Sequence, residues 1–541
     1  MPVSLLIKIA ALLIGAYGIV FLMIVWRFSR LRLRRPEISC VERASLPEDV
    51  SRRLDLAEPF LLGQGFAYGY SVRMDSIFDV PGMKEEYSNV YVHEESGAHA
   101  AVSTSIPTAP YHIGYVSCFA EGDSWETFNR LEYAVPDLSD GNTLFDDYLP
   151  DDEAVWRAHI SRVSASDRLV IRDAERVRNI SLAQSMSMID NWIARGVIKP
   201  STQADRWRFT WTAAYRLFRK MRRGAKKLRR LPNFSYPSGT EERENLETDA
   251  LARSRNLSRS LSLSTAQKRV VCAVTAVISL AVFAWFSGWA FALALLGTLA
   301  LHEGGHLLAM RLSGYPDASV FFIPGIGGVT VGEKLDASPF QRLFVYLAGP
   351  APGLLISMAL VGMIELRYPF LLTQNFKITT FILLSVNYLN LLPIFPLDGG
   401  RIVELLAFSR HPRARFIFYI LGLASIAGFG LATRNPLLLA LWLLLVAAIR
   451  AEWDRMLVWI AIGRNADKMS EEEAGRLVFR TLHEPRFEKW SNERRNSAVS
   501  AIMPNLVGRR IRFGEAAAGI FIYLLCLIAP PAALIAAWSR V

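Results

Sequence analysis

Residues 288–312 read Gly-Trp-Ala-Phe-Ala-Leu-Ala-Leu-Leu-Gly-Thr-Leu-Ala-Leu-His-Glu-Gly-Gly-His-Leu-Leu-Ala-Met-Arg-Leu, an apolar run that carries His302, Glu303 and His306 inside it. On a helix, two histidines four residues apart share one face, where both imidazoles can reach a single Zn²⁺. The glutamate between them is then placed to take a proton from water at the metal. The run is long enough to cross a bilayer. Polar and charged side chains at that depth cost about 2–3 kcal/mol each on insertion scales, and they persist where they serve a site.

The chain has 541 residues, room for three or four units by the usual domain length. Hydrophobic residues make up 52 % and the mean hydropathy is +0.23, high for a soluble chain of this size. The excess is concentrated in the first 26 residues and after Lys268, whereas 27–269 reads as soluble. The net charge of +11 gathers beside the apolar runs. That pattern fits cytoplasmic flanks and anionic lipid, and nucleic acid is not the expected partner. Four scattered cysteines with no Cys-x-x-Cys exclude a disulfide scaffold and a cysteine-zinc site.

The expected architecture is a polytopic α-helical membrane protein of about eight spans with an N-terminal cytoplasmic α+β domain. Residues 1–26 form a membrane anchor, uncleaved because no small-residue cleavage site follows, with Arg27, Arg30, Arg32, Arg34 and Arg35 behind it. Residues 36–200 predict a soluble α+β domain of unknown role. Its strands are expected at 66–73, 89–91, 100–104 and 111–120, and its helices at 152–164 and 180–195. His93 and His99 are six apart and share no helix face, so they predict a loop between strands. Residues 206–267 predict a basic helix and a polar linker. Between Arg216 and Arg230 lie nine Arg/Lys among Leu217, Phe218, Met221 and Leu228, a pattern suited to anionic lipid.

The core at 268–450 holds candidate spans at 269–286, 288–312, 340–364, 378–395, 416–432 and 436–449. The glycine-rich stretch 318–332 is too short to span and predicts a hairpin or re-entrant segment lining a cavity. A polar segment, 451–514, precedes a last span in 515–541. Basic flanks place the charged ends inside, which makes 27–268 cytoplasmic. His302 and His306 then lie roughly 8–15 Å from the cytoplasmic end of their helix.

A catalytic zinc site takes three protein ligands and leaves one position open. Asp398, in Asn390-Leu-Leu-Pro-Ile-Phe-Pro-Leu-Asp398-Gly399-Gly400-Arg401, ends a span running in the same direction as the histidine helix. Pro393 and Pro396 break that helix and the two glycines let the chain turn, which presents the carboxylate to the bundle. Glu333 and Glu404 lie near the same side and are rivals for the third position.

These paired motifs, with Ala348-Gly349-Pro350-Ala351-Pro352-Gly353 between them, resemble the site-2 protease family of intramembrane zinc metalloproteases, the M50 peptidase type. The resemblance covers about 270–449. It implies that His302, His306 and Asp398 bind Zn²⁺ and that Glu303 is the general base. It also implies that Asn390 helps place substrate or oxyanion, and that the glycine-rich segment 321–331, with Gly327 and Gly328, pairs with the substrate as an added strand. The expected activity is hydrolysis of a peptide bond in a membrane-spanning protein, in a bacterial inner membrane, as a step of regulated intramembrane proteolysis. No PDZ-like insert separates the motifs, and the N- and C-terminal extensions differ from some members. Two other readings stand beside it. One is a CAAX-prenyl-type membrane protease with a glutamate as third ligand. The other is a non-catalytic receptor or scaffold acting through 36–200. The sequence leaves the substrate, the trigger and the oligomeric state open.

Overall fold

The computed structural model describes residues 18, 21–78, 85–104, 111–128, 142–228, 240–260, 263–325, 327–366, 373–408, 411–434, 436–463 and 468–538. These fall into two compact units, one built on 18–262 with 489–493, the other on 263–488 with 494–538.

The first unit is built on a seven-stranded sheet. In order its strands are Ile38–Val41, Ala67–Asp75, Glu85–His93, Ala98–Ser103, His112–Cys118, Ser124–Phe128 and Asn142–Asp146. Neighbours are antiparallel except the last pair, which is parallel. Alternation along the strands gives each face its own core. Tyr91, Ala100, Val102, Ile113 and Tyr115 pack on one face against Leu54, Leu61 and Trp156 of three covering helices. Val116 and Cys118 point the other way, to Val177 of helix Ala174–Ala194. Asp151 caps helix Asp152–Ser164, its carboxylate accepting from the Ala154 N–H at 2.7 Å.

His159 on that helix is buried between the Ser117 hydroxyl, 3.0 Å from Nε2, and the Thr127 hydroxyl, 2.9 Å from Nδ1. Burial, then the neighbouring Arg162 charge, hold its pKa down at about 3. Glu126, on the opposite face of its strand, is pushed up to about 7 by burial. His93 and His99 bracket the turn between the third and fourth strands, but His99 itself lies in the fourth strand and is buried.

A second core in this unit gathers Leu33, Trp192 and Phe209 around a three-stranded sheet. The basic helix Trp211–Leu228 packs Ala213, Ala214 and Leu217 into it, with Phe218 and Met221 alongside. Leu217, Phe218 and Met221 of its apolar stripe are therefore taken up by protein, which leaves the arginine- and lysine-rich side. Arg229 and Arg230, the end of that predicted basic run, lie outside the described residues. Thr240–Ser260 is a helix where the polarity predicts a linker.

In the second unit five helices are long and apolar enough to cross a membrane: Thr265–Ser287, Trp289–Leu312, Pro339–Ile364, Pro412–Ala432 and Phe513–Ala532. About eight were expected; five meet the length and hydropathy of a span among the described residues. Gln374–Asn390 stops at 17 residues, where the chain turns toward Pro393, and Pro436–Val446 has 11. The expected N-terminal anchor lies outside the described residues except for 18 and 21–26. The glycine-rich stretch is an antiparallel hairpin, Ser319–Ile323 with Gly327–Val331, in which Val320 pairs with Thr330. Its first strand is tied to helix Thr265–Ser287, the Phe322 N–H donating to the Thr275 hydroxyl at 3.2 Å.

Candidate metal centre

The helix Trp289–Leu312 buries one line of polar side chains, His302, Glu303 and His306, each less than 8 % exposed. Its four-residue period turns both imidazoles to one side. Asp398 arrives from a separate chain segment, as the first residue of the short helix Asp398–Val403. The turn before it is tight. A Cβ on Gly399 would strike the Leu391 carbonyl, and one on Gly400 would lie 2.6 Å from the Ile394 carbonyl. Only glycines let the chain fold back here and bring the carboxylate under the histidines.

Three atoms converge. Asp398 Oδ2 lies 3.1 Å from His302 Nε2 and 3.1 Å from His306 Nε2, and the two Nε2 atoms are 3.2 Å apart. The remaining hydrogen bonds decide what this triangle can hold. His306 Nδ1 lies 2.7 Å from the Val345 carbonyl, which can only accept. His302 Nδ1 lies 3.0 Å from Asn387 Oδ1. That amide is oriented by its other end, since Asn387 Nδ2 donates to the Leu383 carbonyl at 2.7 Å. Each imidazole therefore carries its proton on Nδ1 and turns an Nε2 lone pair toward Asp398. Two lone pairs and a carboxylate oxygen at this spacing repel one another unless a cation sits between them. Tetrahedral coordination at about 2.0–2.1 Å from the metal implies ligand separations near 3.3 Å, which matches the triangle. Two nitrogens and one carboxylate oxygen suit a borderline ion of the zinc type.

Glu303 belongs to a different contact. Its Oε2 accepts from the Thr330 hydroxyl at 2.6 Å, and that hydroxyl also lies 3.1 Å from the Glu303 carbonyl. Thr330 sits on the second strand of the hairpin. Gly328, two residues earlier, lies so close that a Cβ would meet the Glu303 side chain. Gly327 begins the strand and is buried near Leu299. Asn390 turns back on its own helix, its Nδ2 donating to the Val386 carbonyl at 2.9 Å.

The rivals for the third ligand are placed elsewhere. Glu404 is paired with Arg415, and Arg455 lies 3.8 Å away. Glu333 is exposed, and the cluster holds only His302, His306 and Asp398 among the described residues. The two glycines within the histidine motif differ. A Cβ on Gly305 would strike the Ala348 carbonyl, while Gly304 faces open space. Gly349 clears the His306 ring, and Pro350 starts the next helix.

Sequence reasoning misses Asn387 and Thr330. Asn387 is one turn before the residue that the motif singles out, and its role emerges only from the packing of two helices. Thr330 is a single hydroxyl in a glycine-rich stretch.

Residues 290–371 and 370–429 match the model of peptidase family M50. Stage IV sporulation protein FB of Bacillus subtilis is 32 % identical over 120 residues, 22 % of this chain and 41 % of that protein. The putative zinc metalloprotease Rip3 of Mycobacterium tuberculosis is 35 % identical over 136 residues, 24 % of this chain and 34 % of Rip3. The putative zinc metalloprotease sll0528 of Synechocystis is 27 % identical over 198 residues, 35 % of this chain and 51 % of that one. The chain thus spans about half the length, or less, of these relatives.

Proposed function

We propose that this chain, a member of peptidase family M50 through its core at 290–429, is a zinc-dependent intramembrane endopeptidase that hydrolyses a peptide bond of a membrane-spanning protein. The observation that carries the proposal is the triangle of His302 Nε2, His306 Nε2 and Asp398 Oδ2, closed at 3.1–3.2 Å with both Nδ1 atoms held by carbonyl oxygens.

In this reading His302, His306 and Asp398 hold Zn²⁺. When bound, the ion acidifies water toward neutral pH and polarises a peptide carbonyl. The protein does the rest. Asn387 and the Val345 carbonyl fix the ring planes. Glu303 takes the proton from water and returns it to the departing amine. Thr330 holds one Glu303 oxygen, which leaves Oε1 for the proton. Gly327 and Gly328 let an extended substrate approach the strand as an added partner, main chain to main chain. Asn390 serves substrate placement once it releases its own helix. A glutamate as third ligand, the mark of the CAAX-type alternative, has no candidate in the cluster among the described residues.

The wider organisation follows the same proposal. The N-terminal anchor and the two shorter apolar segments, 374–390 and 436–446, would raise the five long helices to about eight crossings. The basic flanks support a bacterial inner membrane location with 27–268 in the cytoplasm. The domain plan is an anchor at 1–26, a soluble domain at 36–200, a basic helix and linker at 206–267, a protease core at 268–450, a polar segment at 451–514 and a last span at 515–541. The exposed Arg216, Arg219, Arg222, Arg223, Lys226 and Lys227 support contact of the 216–230 segment with anionic lipid by charge alone.

The test is a comparison of membrane proteomes from cells carrying the wild-type chain and Glu303→Gln. Intact membrane-spanning proteins accumulate with Glu303→Gln, and their shortened fragments vanish. Identical fragment patterns would refute the protease reading.

A further inference from the structure

A cavity of about 450 Å³ lies within the second unit, between the hairpin exit, the Asp398 helix and the polar C-terminal helices. It is lined by more cations than it can neutralise. Arg415 and Arg455 are matched by Glu404 and Glu452, with Arg415 Nη1 2.5 Å from Glu452 Oε2. No ion pair joins Lys334, Arg342 or Arg401 to a carboxylate among the described residues, although Arg401 is close enough to Glu404, already paired with Arg415, to feel its charge. Lys334 donates only to the Ser313 carbonyl at 2.9 Å, and Arg342 donates to the Pro504 and Leu335 carbonyls at 2.7 and 3.5 Å. Glu333 is the one remaining acidic side chain in the wall, so two or more positive charges stay uncompensated.

The position of these three cations matters as much as their charge. Arg342 lies one helical turn before Val345, whose carbonyl holds His306. Arg401 lies one turn after Asp398 on the same short helix. Lys334 follows Thr330, which clasps Glu303, by four residues. The wall of the cavity is thus the direct continuation of three separate segments, each of which carries or holds a group of the candidate centre.

We propose that this cavity binds a phosphoryl-bearing anion through Lys334, Arg342 and Arg401, and that the bound anion clamps together the three segments that position His306, Asp398 and Glu303. A multiply charged group with several acceptor oxygens suits cations converging from three directions better than one carboxylate does. The size is that of a small-molecule site, and Tyr346, Phe395 and Trp459 supply aromatic surface beside the charges. The phosphoryl group comes from a soluble phosphate compound or from a lipid headgroup, and both present the same chemistry. The clamping rests on the proposed roles of His306, Asp398 and Glu303, whereas the binding does not.

The experiment uses the purified full-length protein in detergent, freed of metal, so that the anion site is read apart from the protease reading. Inorganic phosphate and ATP are titrated calorimetrically, and hydrogen exchange is followed at 328–334, 342–348 and 397–403. Nanodiscs of phosphatidylglycerol are compared with nanodiscs of phosphatidylcholine. The proposal predicts saturable binding that Arg401→Gln or Arg342→Gln weakens about tenfold or more, with slower exchange in the three segments on binding. Arg413→Gln, exposed and outside the cavity wall, leaves binding unchanged. Arg342→Lys keeps a charge and a donor to the Pro504 carbonyl, which separates lost folding from lost binding. Failure of the soluble anions, with an arginine-dependent preference for phosphatidylglycerol, assigns the source to lipid. No saturable binding from either source, binding indifferent to both arginines, or binding without slower exchange overturns the proposal.

Discussion

Asn387 Oδ1 lies 3.0 Å from Nδ1 of His302, on a helix separated from the histidine by 85 positions in the chain. Its amide is locked from the other side by the Leu383 carbonyl, and Gly353 packs so closely that a Cβ there would strike it. A buried amide pinned in this way fixes both the plane and the proton of the imidazole.

Asn387→Leu keeps the volume and removes the acceptor. Metal affinity should fall by about ten- to a hundredfold, the usual effect of losing such a partner. Asn390→Ala removes only a bond within its own helix and should leave metal affinity unchanged. Competition titration against a chelator separates the two. Equal losses would mean that the two asparagines have the same job.

Gly349 and Gly304 make a sharper pair. A methyl group at Gly349 would run into the His306 ring, whereas at Gly304 it meets open space. Gly349→Ala should lose bound metal and cleavage together. Gly304→Ala should keep both and gain slightly in helix stability, about 1 kcal/mol at most. Metal content and thermal midpoints of the two variants check this.

The motif residues were legible because their chemistry is local. His302, Glu303 and His306 are placed by helical spacing alone, and the prolines and glycines around Asp398 announce a broken helix. The supporting contacts are not local. Asn387 acts across a helix pair, and the Val345 carbonyl carries no side-chain signature. In the first unit the strongly alternating strands were readable, while Ile38–Val41, Ser124–Phe128 and Asn142–Asp146 were not. All three are short, and Ile38–Val41 and Asn142–Asp146 join the sheet through partners distant in the chain. The number of spans is harder to read because apolar content does not count residues: Pro436–Val446 is almost wholly apolar yet has 11.

Thr330 tests the role of the hairpin. Thr330→Val preserves shape and removes the hydroxyl that donates to Glu303. Bound metal should stay at the wild-type level while kcat falls about tenfold, the worth of roughly 1.4 kcal/mol for one hydrogen bond to a carboxylate. Loss of metal in this variant would show that the threonine supports the ligands instead.

The first unit should respond to pH in two opposed ways. His159 is held neutral in the fold at about 3, below its unfolded value near 6.5. Its contribution is complete above about 6.5 and is lost as pH falls toward 3. Glu126, raised to about 7 from about 4.5, acts the other way: its contribution is complete below about 4.5 and is lost as pH rises through 7. Glu126→Gln should therefore stabilise the unit at pH 8 relative to the wild type and flatten its decline on the alkaline side. Hydrogen-exchange protection of strands His112–Cys118 and Ser124–Phe128 in the full chain reads this directly. An unchanged alkaline slope would count against the buried carboxyl.

The central claim is that His302, His306 and Asp398 hold one metal while Glu303 does not. Zinc per chain, measured on the purified protein for the wild type, Glu303→Gln and Asp398→Ala, addresses it most directly. The account predicts about one zinc in the wild type and in Glu303→Gln, and little or none in Asp398→Ala. Zinc retained at full level in Asp398→Ala, or absent from the wild type, would contradict it.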